Sequence, residues 1–387
     1  MKTWWLALLC ALLLSCSEGK QEKFAIINDI QQHSSGAVNL STIFADYKLI
    51  PLETDSLSLI SDIDKIIKKK GVYYINSGKR LLVFNAQGKF IRQISNQGGG
   101  PEEYRILLDY DIDTNKKRIA ILDVGSIHYY HLNGKYDKTI SLEYGADRLK
   151  ILPDGSILLN SYREEDLICI IDQQGKEISR YLKRKHRHLV RKANPFIQIG
   201  NLIYYQDGAR TNDFWYYNWK TKQTGIVSLL ASSDGISSVE EEELMSTQGS
   251  RYIENTPTKI KIRGISSYTP YGMSISFKDP DGACLYYFKP TGENRAYNLE
   301  KNPQIIDDIT FQEMPNSLFM SFQGSSDDGF ISVIQPYSVL DGLENNKNQT
   351  SKNYAHMKGI IESMKDPYEA NPIIFEFNLN DKLFTDL

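Results

Sequence analysis

One unit recurs along the chain and constrains its fold more than any other feature: a strand-like run, a tight polar turn, then a second run. It reads "LLVFNAQGKFIRQI" at 81–94, "IHYYHLNGKYDKTI" at 127–140 and "LICIIDQQGKEISRYL" at 167–182. Glycine at the tip supplies the positive φ that a tight hairpin turn requires. More degenerate versions follow at 214–229, 284–299 and 373–387. Each unit is therefore predicted to be a β-hairpin.

A further strand candidate precedes each hairpin. These candidates begin at residues 72, 118, 156, 202, 273 and 318. A unit of about 40 to 50 residues with four strands is typical of a propeller blade. Six units predict an all-β, six-bladed β-propeller, and a repetitive array of β-sandwiches is the alternative.

The two ends of the chain are predicted to complete the last blade together. The final unit stops after its third strand and a turn, so a strand from elsewhere is needed, and "DYKLIPLE" at 46–53 has the right pattern. Pairing the two ends would also remove exposed strand edges. We therefore expect a propeller over 41–387, closed by pairing of this N-terminal strand with the last blade, with a small helical insertion in blade 6 at 335–372.

The N-terminus has the features of a secretory signal. Lys2 precedes a mostly apolar run at 4–14, which ends in Leu-Leu and is followed by Ser15 and Cys16. The run is too short to span a membrane. The small residue before Cys16 resembles a bacterial lipobox, which predicts a signal peptide at 1–15, lipidation of Cys16 and a tether at 16–40; an ordinary secretory signal is the alternative. The expected location is the cell envelope, lipid-anchored to a bacterial membrane, with the outer membrane favoured, and periplasmic or surface-exposed.

Charge and cysteine content exclude several classes of protein. The net charge of −3 argues against a globally basic nucleic-acid binder, so no nucleic-acid partner is expected. Without Cys10 and Cys16, only Cys169 and Cys284 remain, and both lie in apolar runs. Two buried thiols provide neither a disulfide framework nor a zinc site.

Several stretches resemble a known family. They are "YKLIPLET" (47–54), "VFNAQGKFIRQI" (83–94), "GGGPEEY" (98–104) and "NPIIFEFNL" (371–379). In the third stretch Gly98, Gly100, Pro101, Glu103 and Tyr104 match the family pattern, whereas Glu102 stands where glycine is common. The chain resembles the six-bladed β-propeller lipoproteins of Bacteroides-like bacteria, relatives of NHL-repeat propellers. The resemblance implies the fold and an association with nutrient uptake, but no settled activity.

The glycines of "GGGPEEY" raise the question of a phosphate site. A phosphate-binding loop needs a helix after the glycines, whereas "YRILLDYDID" continues as a strand. We therefore interpret this stretch as a corner between two blades, stiffened by Pro101, in which Glu103 accepts backbone N–H bonds.

The long connectors are predicted to share one face. Strands alternate in direction within a blade, so connectors between blades and loops between second and third strands lie at the same end. The basic stretch "KRKHRHLVRK" (183–192) belongs there, with Arg184, Arg187, His188 and Arg191 as candidate residues for an anionic partner. A solvated connector is the alternative. In the insertion, "YAHMKGIIESMK" (354–365) has helical apolar spacing and is expected to pack over the propeller, or to bind a partner.

Support for catalysis is limited to three acids. Asp109, Asp111 and Asp113 alternate along a strand that we expect to be innermost, and they are weak candidates for a Ca²⁺ site at the central channel. A hydrophilic channel lining is the alternative. No cofactor is predicted, although Ca²⁺ is possible. The leading hypothesis is a non-catalytic binding or scaffold protein for a glycan, peptide or envelope protein; the alternative is a Ca²⁺-dependent hydrolase or lyase.

Overall fold

The computed structural model describes thirteen stretches of the chain. They are residues 38–94, 97–184, 194–205, 213–228, 238–248, 261–269, 272–279, 282–288, 294–298, 305–312, 324–325, 329–347 and 349–380. For 261–298 only the backbone is described. The predicted signal peptide, Cys16 and residues 17–37 of the tether lie outside the described residues.

Strands dominate the described chain. In order they are β1 (Val38–Asn39), β2 (Phe44–Pro51), β3 (Lys65–Lys69), β4 (Val72–Ser77), β5 (Arg80–Phe84), β6 (Phe90–Ile94), β7 (Asp109–Asp113), β8 (Arg118–Asp123), β9 (Ser126–His131), β10 (Tyr136–Ser141), β11 (Arg148–Ile151), β12 (Ile157–Asn160) and β13 (Asp166–Ile171). They continue as β14 (Glu177–Lys183), β15 (Phe196–Ile199), β16 (Leu202–Tyr205), β17 (Asp213–Asn218), β18 (Thr224–Ser228), β19 (Lys261–Thr269), β20 (Gly272–Asp279), β21 (Gly282–Phe288), β22 (Asn294–Asn298), β23 (Ile305–Ile306), β24 (Gly324–Ser325), β25 (Phe330–Ile334) and β26 (Ile373–Leu379).

The helices are short and lie in connectors. They are α1 (Leu40–Ile43), α2 (Ser238–Gln248), a 3-10 turn (Pro336–Val339), α3 (Leu340–Asn345) and α4 (Lys352–Glu362). None of the helices in the described part of the chain is long and apolar enough to cross a membrane.

The structure is an all-β propeller of five blades, so the prediction of six blades is wrong. Four sheets have four strands each, β7–β10, β11–β14, β15–β18 and β19–β22. The fifth is a single eight-stranded sheet in the order β2-β26-β25-β24-β3-β4-β5-β6. The first and last repeats form one sheet because the inner strands β24 and β3 pair in parallel, Gly324 with Ile66 and Ser325 with Ile67. Counting hairpins could not reveal this, since the pairing joins residues far apart in sequence.

The N-terminal strand does pair with the last strand. β2 runs antiparallel to β26, with Leu49 opposite Phe375 and Pro51 opposite Ile373. The last half of the eight-stranded sheet thus takes its fourth strand from the other end of the chain. β1, which lies within the predicted tether, pairs with β23.

Apolar side chains fill the space between successive sheets. Tyr74 of β4, Tyr110 of β7 and Tyr130 of β9 belong to one buried cluster that joins the eight-stranded sheet to β7–β10. Such large buried side chains each remove on the order of 150–250 Å² from water. Corresponding clusters join β7–β10 to β11–β14 and that sheet to β15–β18. The core is therefore a series of layers between sheets.

The helical insertion packs on the propeller, as the sequence predicted. Met357, Ile360 and Ile361 of α4 are buried in a cluster with Phe375 and Phe377 of β26. Ser351 caps the start of α4 by accepting a hydrogen bond from the backbone N–H of Tyr354 at 3.1 Å. The apolar face of this helix is therefore covered by its own chain.

Both remaining cysteines lie in strands. Cys169 in β13 is fully buried and free, and burial raises the pKa of its thiol to about 12. Such a thiol is unreactive at neutral pH. Cys284 lies in β21, and its side chain is outside the described residues.

Candidate binding surfaces

Strand direction divides the connectors of the propeller between two faces. Within each repeat the strands are numbered from first to fourth in chain order. We define the loop face as the end of the propeller that carries the connectors between repeats and the loops between second and third strands. The turn face is the opposite end, which carries the turns between first and second strands and between third and fourth strands. The basic connector and the helical insertion both follow from strand ends on the loop face.

Contacts between turns of neighbouring strands and sheets establish the turn face as one surface. The carbonyl of Lys117 accepts the N–H of Leu132 at 3.2 Å, which joins two turns of one sheet. The Lys116 ammonium group donates to Gln173, and Lys222 pairs with Asp154 at 2.6 Å; each contact links one sheet to the next. The turns therefore lie side by side.

On the loop face, the glycine-rich corner is organised by one carboxylate. Glu103 accepts the backbone N–H of Gly100 at 2.9 Å, and its own N–H donates to the carbonyl of Gly100 at 3.1 Å. A Cβ atom on Gly98 would come within 1.9 Å of a Glu103 carboxylate oxygen. A side chain at position 98 would therefore displace this carboxylate, and the loop folds around its own acid instead of presenting N–H groups to an anion.

Tyr104 anchors the same corner to the protein core. Its ring is fully buried, and its hydroxyl donates to the carbonyl of Lys79 at 3.0 Å. The hydroxyl of Tyr130 donates to the carbonyl of Glu102 at 2.9 Å. Pro101 is exposed at the tip of the loop. The corner is thus a rigid part of the loop face, tied to the sheets on both sides.

Exposed apolar side chains are concentrated on the loop face. Leu57 is 67% exposed and Tyr368 is 73% exposed. The exposed large apolar residues of the described loop face are Leu57, Leu59, Ile106, Val124, Val239, Tyr337 and Tyr368. Of the other exposed ones, Ile91, Ile178 and Ile226 lie on fourth strands, and Ile306 lies in β23, paired with β1. None in the described chain lies in a turn of the turn face. Apolar groups that remain in water at one face are typical of a binding surface.

Charged groups accompany these side chains. The guanidinium of Arg105 donates to the carbonyl of Val124 at 3.0 Å, and buried Asp123 accepts the backbone N–H groups of Arg105 and Ile106 at 2.8 and 3.0 Å. Arg163 pairs with buried Asp147 at 2.9 Å while its side chain stays mostly exposed. Buried acids therefore position arginines that project into solvent.

Of the predicted basic residues, Arg184 is the one that the structure describes. It is partly buried, and its guanidinium donates to the carbonyl of Tyr162 at 3.1 Å. Arg187, His188 and Arg191 lie outside the described residues. Arg184 therefore supports the base of this connector.

The three acids of β7 lie on the innermost strand of their sheet and are buried. Asp109 pairs with Lys65 of β3 at 2.9 Å and accepts the backbone N–H of Leu149 at 2.9 Å. Asp113 accepts the N–H of Lys116 at 3.0 Å and pairs with Arg118 at 3.3 Å. These acids bind neighbouring strands together.

Asp111, two residues after Asp109 in β7, makes the same kind of contact. It accepts the backbone N–H of Ile151 in β11 at 2.9 Å and pairs with Lys150 at 3.1 Å. Burial would raise the pKa of Asp111, but the ammonium groups of Lys150 and Lys65, together with hydrogen bonds from the backbone N–H groups of Ile151 and Ile112, hold the pKa below its ordinary value. Across the described residues, no three His, Cys, Asp or Glu side chains are grouped so as to hold a metal ion.

His128 of β9 has polar neighbours at both of its ring nitrogens. His128 is buried; its Nδ1 lies 2.9 Å from Thr139 Oγ1, and its Nε2 lies 3.2 Å from Ser126 Oγ and 3.5 Å from Asp123. Burial lowers its pKa, and Asp123 offsets part of this effect. The serine and the carboxylate approach the same nitrogen, so the group lacks the relay order of a Ser-His-Asp triad. His131, three residues further along β9, is exposed on the opposite side of the strand.

The aromatic stretch at 213–219 is mainly a packing element. Trp215 and Tyr217 are buried and stack at 6.2 Å between ring centroids, and Tyr181 lies 5.6 Å from Trp215. Tyr216, on the other side of β17, is partly exposed. Few of these rings remain available to stack on a sugar.

The family comparison covers almost the whole chain. Residues 23–378 match a family described as a domain of unknown function, DUF4934. The chain belongs to the DUF4934 family. No curated protein matches it at a significant level.

Solved structures share the propeller fold with this DUF4934 chain. An exported protein from Bacteroides fragilis is 16% identical, with a TM-score of 0.72, over 92% of this chain and 100% of its own. A member of the DUF4221 family from Bacteroides vulgatus is 10% identical, with a TM-score of 0.50, over 87% of this chain and 97% of its own. At these identities the likeness concerns the fold alone. The relation to NHL-repeat propellers stays a prediction.

In this DUF4934 chain, three of the stretches that carry the family resemblance meet at one place. Glu53 accepts the backbone N–H of Phe90 at 2.8 Å. The buried Asn371 side chain donates to the carbonyls of Glu53 and Ser58 at 2.6 and 2.9 Å and accepts the N–H of Ile60 at 2.8 Å. These stretches therefore join the two ends of the eight-stranded sheet, which is a structural role.

Proposed function

We propose that the protein is a cell-envelope binding protein, held to a membrane by a lipid on Cys16, that binds its partner through the loop face without catalysis. The observation that carries this proposal is the concentration of exposed apolar side chains on that face. The arginines positioned beside them add polar contacts. A rigid scaffold with elaborated loops at one end suits recognition.

Two further observations support a binding role over the hydrolase hypothesis. The inner-strand acids that a channel metal would need are engaged by cations and backbone N–H groups. The likeness to an exported Bacteroides protein supports an envelope location. The partner class that fits best is a glycan, a peptide or another envelope protein.

The loop face is tested with two matched sets of substitutions in the full chain. Leu57→Ser, Ile106→Ser and Val124→Ser remove exposed apolar groups from it; Ile91→Ser, Ile178→Ser and Ile226→Ser remove similar groups from outer strands. Binding to a panel of envelope polysaccharides and unstructured peptides is measured by interferometry, with product analysis of every probe. We expect at least one probe to bind, and the first set alone to weaken it by about tenfold or more. No binding, equal loss in both sets, or cleavage of a probe that chelator abolishes contradicts the proposal.

The anchor has its own test. Cys16→Ser in cells should move the protein out of the membrane fraction and abolish incorporation of labelled fatty acid. Retention in the membrane with unchanged labelling contradicts lipidation at Cys16.

A further inference from the structure

The turn face carries a set of lysines that take no part in the loop-face surface. Every one is exposed, and they come from turns of the first four repeats. They are Lys70, Lys89, Lys116, Lys117, Lys135, Lys176, Lys220 and Lys222. Contacts between the turns hold them on one surface. The described turns of this face therefore carry an excess of positive charge, whereas the whole chain has a net charge of −3.

In the described turns of the first four repeats, few carboxylates lie beside these lysines. Glu53 lies 3.6 Å from Lys89, and Asp154 pairs with Lys222. Asp172 accepts the backbone N–H groups of its own turn. The ammonium groups of five turn-face lysines make no ion pair and no hydrogen bond with any residue that the structure describes. They are those of Lys70, Lys117, Lys135, Lys176 and Lys220.

The loop face differs in charge. Its exposed charged residues in the described connectors have both signs. Outside α2 and the insertion they are Asp55, Asp62, Asp64, Glu102, Glu143 and Glu165 with Lys79, Arg105 and Arg163. The positive charge of the turn face is thus a property of that end of the propeller.

The chain enters the propeller at the turn face. In the last half of the eight-stranded sheet, β26 is the third strand and β2 is the fourth. The end of β26 lies beside the start of β2, because Asn380 donates its N–H to the carbonyl of Ile43 at 2.8 Å. In the other sheets this position is a turn between the third and fourth strands, which lies on the turn face. The described chain therefore starts β2 at the same end of the propeller as these lysines. Some twenty residues separate Cys16 from Val38, which reach at most about 75 Å when extended.

We propose that the turn face lies against an anionic membrane surface, so that the lysines and the lipid anchor bind the same bilayer and the loop face points away from it. Lysines spread over separate turns suit a surface of many negative headgroups, whereas a single anion needs converging donors. Each lysine close to such a surface adds attraction that salt screens. The anchor is part of the proposed function, but attraction by the lysines does not require it.

The test measures binding of the full chain with Cys16→Ala, which takes no lipid, to vesicles of phosphatidylcholine with and without about one third phosphatidylglycerol. A turn-face variant combines Lys70→Gln, Lys117→Gln, Lys135→Gln and Lys176→Gln. Its control combines Lys79→Gln, Lys352→Gln, Lys358→Gln and Lys365→Gln, which are exposed outside the turn face. Both variants lose the same charge, and all chains share one N-terminus, so differences report on position alone.

We expect anionic vesicles to bind the parent and the control alike, with the turn-face variant weaker by about tenfold or more. Raising NaCl from about 0.1 M to about 0.5 M should reduce the difference. Equal binding to both kinds of vesicle, or equal loss in the two variants, overturns the proposal. Competition by millimolar inorganic phosphate also overturns it, in favour of a small-anion site. The Leu57, Ile106 and Val124 substitutions should leave vesicle binding unchanged, so failure of this proposal is distinct from failure of the loop-face proposal.

Discussion

Gly88 and Gly125 adopt almost the same backbone conformation, with φ of +76° and +72°, yet only one of them lies against another strand. A Cβ atom on Gly88 would come within 2.2 Å of the carbonyl oxygen of Pro51, whereas one on Gly125 would meet nothing within 4 Å. The glycine of the third repeat is similar, since a Cβ on Gly175 would come within 2.8 Å of the carbonyl oxygen of Ser141. The glycine of the hairpin turn is thus needed for two reasons. It adopts the positive φ of the turn, and its lack of a side chain lets the turn approach the fourth strand of the preceding repeat.

This contrast gives a matched pair of substitutions. Gly125→Ala should lower the free energy of unfolding by about 1–2 kcal/mol, because alanine tolerates positive φ poorly. Gly88→Ala should cost at least about 1 kcal/mol more, since Pro51 has to move. Chemical denaturation of both variants checks this, and equal losses would show that the contact with Pro51 has no energetic weight.

His128 makes stability depend on pH. Its pKa is lowered in the folded protein, so the unfolded chain takes up a proton first as pH falls through about 6.5. The contribution of neutral His128 is therefore present above that pH and is lost as the solution is acidified below it. We expect unfolding free energy to fall between about pH 7.5 and 5.5, and to fall less in His128→Gln.

His131→Gln is the control for this experiment, since His131 is exposed on the same strand. It should keep the pH dependence of the parent. A His128→Gln variant with the full pH dependence would assign the effect to other groups.

Among the elements, α4 shows how an insertion becomes part of the core. Its apolar side chains complete a cluster with β26, while Lys358 on its other side is exposed. Tyr47 of β2 donates a hydrogen bond to Asn353, and Asn353 donates to the carbonyl of Asp308 at 2.9 Å. The insertion therefore holds three distant segments together.

Substitution within α4 should separate packing from helix formation. Met357→Ala removes a fully buried side chain and should lower the unfolding free energy by about 2–5 kcal/mol. Lys358→Ala changes an exposed position of the same helix and should leave stability unchanged. Comparable losses in thermal denaturation would mean that α4 is stabilised by its own helicity and not by packing.

For the molecule as a whole, contacts between the inner strands of neighbouring sheets hold the propeller together. Lys65 of the eight-stranded sheet and Asp109 of the next sheet form a buried ion pair, and Asp109 also reaches the inner strand of the sheet after that. One acid thus links three consecutive repeats near the axis.

Removing that acid should be costly. Asp109→Ala leaves the Lys65 ammonium group buried without its counterion, and we expect a loss of about 3–5 kcal/mol of unfolding free energy. The double variant Lys65→Met with Asp109→Leu should recover much of this loss, because both charges are then absent. Denaturation of the three proteins checks this; no recovery in the double variant would show that the N–H bond from Leu149 matters more than the pair.

The sequence by itself determined the local structure: the hairpins, the pairing of β2 with β26, the helix at 352–362 and the acceptor role of Glu103 follow from alternation, turn glycines and helical spacing. These features depend on neighbours along the chain, or on two ends that each lack a partner. Strand alternation also assigned the long connectors to one face, which is where most of the exposed apolar side chains lie.

What only the tertiary structure decided is how distant parts of the chain meet. The parallel pairing of β24 with β3 turned six repeats into five blades. Asp109 and Asp111 of β7 received partners from other sheets, and lysines from separate turns came together on one surface. Each turn lysine on its own is an ordinary solvated residue, and its significance arises because folding places several of them side by side.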